Sequence, residues 1–290
     1  MINKDELYEL LAFWNFWEGK PENLTERETY QGKIQDYKKT NEILVFEGIR
    51  RSGKSTLMLI EIKKLMEQGI NPNNILFVNF EDPTIYQHAE LSLLDKIYET
   101  YIEYLDPKGK KYLFFDEIQN ITGWEKWVLK YYERKKDIQF YITGSSSKLL
   151  SSEFSTALSG RHLKIKVYPL DFKEFLMFNN EEIQGKTDII KKKVTIKKHF
   201  RKYLEQGGFP KIQAIEDEKN KKTELMEYFD TIILKDIAKR HNINAEDIKK
   251  TAFYLITNNT KPYSINKLKK MRLGSYDTIK KYVHYLKEAY

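Results

Sequence analysis

A chain of 290 residues with 41% hydrophobic and 14% aromatic content has apolar material for two packed domains, which excludes wholesale disorder. It contains no cysteine and five scattered histidines, so disulfide frameworks, thiolate metal sites and a structural zinc are excluded. Fifty Lys and Arg against 42 Asp and Glu leave a net +8, a mild excess whose distribution matters more than its sum.

The opening stretch MINKDELYELLAFWNFWEGK carries acids early and has no uninterrupted apolar run, so it is not a signal peptide. Nowhere do about eighteen apolar residues follow one another, and a soluble, cytoplasmic protein is expected. Helical periodicity covers about residues 4–18, then KPENLTE makes a polar connection. Short apolar runs follow as strand candidates at 42–48, 74–82, 112–119, 138–145 and 162–170. Helix-like stretches such as STLMLIEIKKLMEQG and GWEKWVLKYYERK lie between them. Near-continuously apolar strands separated by helices predict a parallel sheet covered on both faces. After Pro169 the pattern is helical almost throughout, which places a domain change near residue 170.

The carboxyl end reads as helix, turn, helix, turn, helix, with starts at Ser264 and at Gly274-Ser275. This is helix-turn-helix spacing. Residues 261–290 hold eight basic side chains against two acids, a net +6, so the positive field is expected at this end.

Residues Gly48 to Ser55 fit the phosphate-loop pattern G-x-x-x-x-G-K-S. Glycines at Gly48 and Gly53 allow a tight wrap whose amide N–H groups face phosphate. Lys54 adds a charge at the β/γ-phosphates, and the Ser55 hydroxyl is a Mg²⁺ ligand. The helix that begins near Ser55 and Thr56 offers its positive end to the same anion. Ser52 completes the wrap. Arg50 and Arg51 inside the loop are candidates for holding phosphate or a neighbouring acid, or are simply solvated.

The strand YLFFDEIQ runs into Asp116 and Glu117, two carboxylates at the C-terminal edge where ligands sit in open α/β sheets. Asp116 is expected to orient Mg²⁺ and Glu117 to activate an attacking water. YITGSSS ends a strand with Thr143, Gly144, Ser145 and Ser146; Ser145 is the favoured γ-phosphate or water contact. Arg161, after a glycine and before the last strand, is a candidate for stabilising charge on the transferring phosphoryl group, in cis or in trans. Glu81 and Asp82 either join a Mg²⁺ network or form a turn before Pro83. Trp14, Asn15 and Trp17 either line an adenine site or pack into a core.

These elements, in this order, resemble the AAA+ division of P-loop ATPases, whose strand order is commonly 5-1-4-3-2. The finer resemblance is to a prokaryotic, notably archaeal, family with a helical lid and a winged-helix domain, and often a nuclease-like C-terminal domain. It is carried by WNFW (14–17), GIRRSGKST (48–56), VNFEDP (78–83), FFDEIQNITGWEKWV (114–128), ITGSSSKLL (142–150), LSGRHLKIKVYPLDFKEFL (158–176), GGFP (207–210) and YFDTIILKDIAKRHNI (228–243). The resemblance implies a helical lead-in over 1–40, an AAA+ core over 41–170, an all-α lid over 171–250 and part of a winged helix over 251–290. It also implies ATP and Mg²⁺ as cofactors, Lys54 and Ser55 as nucleotide and metal ligands, Asp116 as the Walker B aspartate and Glu117 as the catalytic glutamate. Ser145 is similar to the sensor-1 position, and Arg161 matches the family's Gly-Arg. No lid arginine stands out as sensor 2, Lys211 being the nearest guess. Chains of this family usually continue past YLKEAY, so a truncated winged helix is expected.

Two functions fit these readings. One is an ATP-hydrolysing switch on double-stranded DNA, with Lys269, Lys270, Arg272, Lys280 and Lys281 on phosphates. The other is a slow signalling ATPase whose C-terminal helices bind a protein partner or self-associate. DNA binding predicts one continuous basic face; a protein interface predicts exposed Tyr276, Val283 and Tyr285 among the lysines. Nucleotide binding without hydrolysis is a third reading, against which Glu117 stands. No guanine-reading Asn-Lys-x-Asp motif occurs.

Overall fold

The computed structural model describes residues 2–19, 21–22, 24–134, 136–145 and 158–289, with Ser145 described by its backbone alone. The chain divides into two compact units, Met1–Glu47 with Gly53–Val167, and Gly48–Ser52 with Tyr168–Tyr290.

The first unit is built on five strands: β1 (Ile43–Gly48), β2 (Ile75–Asn79), β3 (Lys111–Asp116), β4 (Ile138–Ser145) and β5 (His162–Lys166). Their order is β2-β3-β4-β1-β5, the expected order read from the opposite edge. The pairs β1/β5, β2/β3 and β3/β4 are parallel, with Ile43 beside His162 and Phe115 beside Ile142. All six residues of β1 are buried, as an inner strand covered on both faces requires.

Alternation along β1 divides the core. Ile43 and Val45 point to one layer, which holds Leu7 and Leu11 of α1 (Lys4–Trp14), Leu94 and Ile97 of α5 (Leu91–Leu105), and Trp127 of α6 (Trp124–Arg134). Leu44 and Phe46 point to the other, with Ile34 of α2 (Glu28–Lys38) and Leu57, Ile60 and Leu65 of α3 (Lys54–Glu67). A short α4 (Pro83–Tyr86) follows β2. Helices therefore cover both faces, and the predicted lead-in at 1–40 is part of this unit.

Trp14 and Trp17 pack against the core, as one reading of WNFW expected, and the motif also covers a sheet edge. β2 is an edge strand, and unpaired edge N–H and C=O groups are a hazard unless covered. The Asn15 side-chain amide donates to the Phe77 carbonyl at 2.8 Å and accepts from the Phe77 N–H at 2.6 Å, standing in for a neighbouring strand. Trp17 Nε1 donates to the Ile75 carbonyl at 2.9 Å, and Trp14 Nε1 to Asp82 at 3.0 Å. Asp82 also caps α4 through the N–H groups of Thr84 and Ile85, which accounts for it without a metal. Three strand spacings, roughly 14 Å, separate β2 from the strand that leads into the phosphate loop.

In the second unit the helices are α7 (Phe172–Phe178), α8 (Lys186–Lys191), α9 (Lys193–Gln206), α10 (Pro210–Gln213) and α11 (Glu218–Thr231). The last continues as a π-helical stretch, Ile232–Ala238, and a final turn to His241. Then come α12 (Ala245–Thr257), α13 (Ile265–Lys270) and α14 (Tyr276–Ala289). A core of Ile49, Ile232, Ile233, Ile237, Ile248, Ala252, Tyr282 and Leu286 joins the π stretch to α12 and α14. The expected lid/winged-helix boundary at 250 thus falls inside one helix, and the helices on either side of it share this core. The second unit resumes at Tyr168.

Candidate functional site

β3 delivers two acids in succession because it ends at Asp116 and the backbone then turns sharply. Glu117 has φ +55°, a left-handed conformation that a side chain with a Cβ adopts at a cost. The turn points the Glu117 N–H at Thr143 Oγ1, 2.9 Å away on β4, and the same hydroxyl donates to Asp116 Oδ1. Register explains the choice of residue: Phe115 lies beside Ile142, so Asp116 meets Thr143. Thr143 is fully buried. Sequence reasoning favoured Ser145, two positions further, whose side chain lies outside the described residues.

Asp116 and Glu117 are only 4% and 7% exposed. Lys54, the first residue of α3, is equally buried, and its Nζ lies 3.6 Å from Glu117 Oε1. Gln119 Nε2 donates to the other Glu117 oxygen. Burial, and then the Glu117 charge, push the Asp116 carboxyl up to about 6; hydrogen bonds from Thr143 and Ser55, and the Lys54 charge, act in the opposite sense. Lys54, Ser55, Asp116 and Glu117 are therefore brought together, with Thr143 added.

The donor set fits a hard divalent cation. Asp116 and the Ser55 hydroxyl both offer oxygen, and two buried carboxylates face one lysine, an excess of negative charge that a cation would offset. Among the described residues no cluster of three or more His, Cys, Asp or Glu could cage a metal by itself. That suits Mg²⁺, which is commonly held by one or two carboxylates with water and substrate phosphates. For nucleotide, Gly53 has φ +98°, as the wrap of a phosphate loop needs, and the fourteen-residue α3 starts directly after it.

The remaining predicted residues lie elsewhere. The Arg161 backbone carbonyl accepts from the Ile43 N–H, so Arg161 stands beside the start of β1, whereas the phosphate loop follows the end of that strand. A strand length, roughly 16 Å, separates the two. Its guanidinium pairs with Glu133 at 3.0 Å. Within the second unit, Arg50 and Arg51 are both engaged by carboxylates, Asp236 and Glu224, which favours the neighbouring-acid reading over phosphate contact for Arg50. Lys211 also pairs with Glu224, at 2.9 Å.

At the carboxyl end Lys269, Lys270, Arg272, Lys280 and Lys281 are all exposed. Val283 is buried and Tyr285 stacks on His241 with centroids 3.6 Å apart, leaving Tyr276 as the exposed member of the apolar trio. The positive field is not confined to this end. Residues 186–206 carry eight basic side chains and two acids, a second +6, so everything outside the two stretches sums to −4. Exposed Val194 (83%) and Leu204 (68%) sit among those lysines on α9.

Residues 40–176 match the AAA domain family, and residues 197–290 match a domain of unknown function (DUF8612). Residues 40–176 are an AAA domain. An uncharacterized protein of Methanocaldococcus jannaschii, MJ1544, is 35% identical over all of this chain and 63% of its own length. An uncharacterized protein of Haemophilus influenzae is also 35% identical, over 91% of this chain and 64% of its own length. The chain thus spans less than two thirds of the length of these curated relatives. Among solved structures, the Aeropyrum pernix ORC1 protein in complex with DNA is similar with a TM-score of 0.41 and 11% identity, covering 93% of this chain and 85% of that one.

Proposed function

We propose that the chain is a cytoplasmic Mg²⁺-dependent ATPase whose nucleotide state acts as a switch on double-stranded DNA. The observation that carries the reading is the buried group Lys54, Ser55, Asp116, Glu117 and Thr143. Lys54 and the N–H groups of the Gly48–Thr56 loop bind the phosphates. Ser55 and Asp116 would hold Mg²⁺, which would supply positive charge against the phosphates. Glu117 accepts a proton from the attacking water, and the Thr143 hydroxyl fixes where its backbone turns. Mere binding has no use for a carboxylate strained into this position. Arg161, at the far edge of the sheet, serves the nucleotide of a neighbouring copy rather than its own.

The DNA limb is supported by exposed lysines on α13 and α14, where Leu268, Ile279, Tyr282, Val283 and Leu286 are buried while Tyr276 is exposed. A backbone-reading, salt-dependent contact suits such a face. The alternative, a signalling ATPase with a protein partner, draws on the exposed Val194 and Leu204 of α9 rather than on the C-terminal helices.

Steady-state phosphate release from Mg-ATP, with and without double-stranded DNA and beside Glu117→Gln, tests the reading. Turnover that depends on Glu117 and rises with DNA supports it. Turnover that depends on Glu117 but ignores DNA at low salt moves the signalling reading ahead, and no turnover above background sinks the catalytic assignment for this chain.

A further inference from the structure

The segment Gly48–Ser52 belongs to the helical unit, and Ile49, Arg50 and Arg51 each make contacts that hold it there. Ile49 is buried with Ile232, Ile233 and Ile237. Arg50 lays its guanidinium along Asp236, Nε to Oδ2 at 3.3 Å and Nη2 to Oδ1 at 3.4 Å. Arg51, at φ +68°, places Nη1 3.4 Å from Glu224 Oε1 and its Cζ 3.8 Å from the Tyr228 ring centroid.

Glu224 and Tyr228 are four residues apart and share a face of α11. Asp236 is twelve residues on from Glu224, and at α-helical pitch it would lie a third of a turn away. The Ile232–Ala238 stretch is π-helical, and its wider turns bring Asp236 round to Arg50.

The two arginines have partners of unlike kind. The Asp236 side chain is 6% exposed, and among the described residues Arg50 is the cation paired with it. Withdrawing Arg50 strands a buried carboxylate, which is strongly unfavourable. Glu224 is partly exposed and also takes Lys211 Nζ at 2.9 Å, so it stays paired when Arg51 leaves. Exchange is cheap at Arg51 and costly at Arg50.

We propose a division of labour on this basis: Arg50 is a positioning residue locked by Asp236, while Arg51 exchanges Glu224 for the phosphates of a bound nucleotide. Gly48–Ser52 supplies N–H groups of the phosphate loop itself, so what holds the segment also sets where those groups point. The proposal rests on the nucleotide reading above and adds to it a competing internal anion.

Calorimetric titration with Mg-ADP and Mg-ATPγS separates the two roles, because the carboxylate variants shift affinity in opposite directions. Glu224→Gln removes the competitor and should tighten Mg-ATPγS about threefold. Arg51→Gln should weaken it about tenfold. Asp236→Asn and Arg50→Gln should each weaken both nucleotides, and the double variant should be no weaker than either single one. Should Asp236→Asn melt below assay temperature, Arg50→Lys, which keeps the charge but loses the fork, is expected to weaken both nucleotides instead. Glu224→Gln and Asp236→Asn moving affinity in the same direction, or additive losses at Arg50 and Asp236, would overturn the proposal. An unaltered chain that binds neither nucleotide, no better than Lys54→Ala, would remove the nucleotide reading itself and this proposal with it.

Discussion

The two units of this protein keep their charge in opposite ways. In the sheet unit the ionisable residues that matter are few, buried and mutually bonded: Lys54, Asp116 and Glu117 share one pocket of low solvent access. In the helical unit charge is abundant and outward, with two +6 stretches whose lysines face solvent. Buried charges interact strongly and tolerate no loss of a partner, while exposed ones act as a screened field. Single substitutions should therefore be drastic in the buried group of the first unit and graded along the two basic stretches of the second.

The largest expected effect is on turnover. Glu117→Gln should lower it by roughly a hundredfold or more in phosphate-release assays while leaving nucleotide affinity within about threefold. A tenfold loss of affinity instead would mean that Glu117 works mainly through Lys54. Arg161→Ala should also reduce turnover, and mixing it with Lys54→Ala subunits should restore activity, since one copy keeps the loop and the other the arginine. Failure of that complementation would return Arg161 to its pairing with Glu133.

Asp116 separates activity from stability. Its carboxyl titrates near 6 in the folded chain against 3.8 unfolded, so folding favours the protonated form. Stability is then lost as pH rises from about 4 to about 6, by up to roughly 3 kcal/mol from this group. Asp116→Asn should accordingly melt higher than the parent at pH 7.5, with the gap closing below about pH 6, and should not turn over. A gap that stays constant with pH would break the assignment.

Smaller effects are expected at surfaces. Asn15→Ala leaves the Phe77 N–H and carbonyl without their amide, costing about 2 kcal/mol by urea denaturation. On the basic helices, Lys280→Ala and Lys281→Ala should each lower the log–log salt dependence of DNA affinity by about one, equally for all sequences. A loss confined to one DNA sequence would instead indicate base contacts.

The same contrast explains what was legible beforehand. Strands buried on both faces announce themselves as apolar runs, and a phosphate loop is local, so β1 to β5, Lys54, Ser55, Asp116 and Glu117 could all be read from short spacings. Thr143 could not be picked out, because its place beside Asp116 depends on the β3/β4 register. Arg161 was within reach: in a parallel sheet every strand starts at the same edge, and it precedes a strand. The pairing of Arg50 with Asp236 spans 186 residues and depends on a π turn, for which no local signal exists. WNFW was legible as aromatic but not as an edge cover, since its partner is backbone.

That edge cover has a consequence for how the chain matures during synthesis. Asn15 and Phe77 are 62 residues apart, so the amide finds its partner only after β2 has been made and has settled outermost on β3. Until then a strand with a free flank is presented to every other nascent or unfolded chain nearby. Closing it by a side chain, rather than by a sixth strand, needs a single late docking event, and the helix that carries Asn15 is already available by the time it is required.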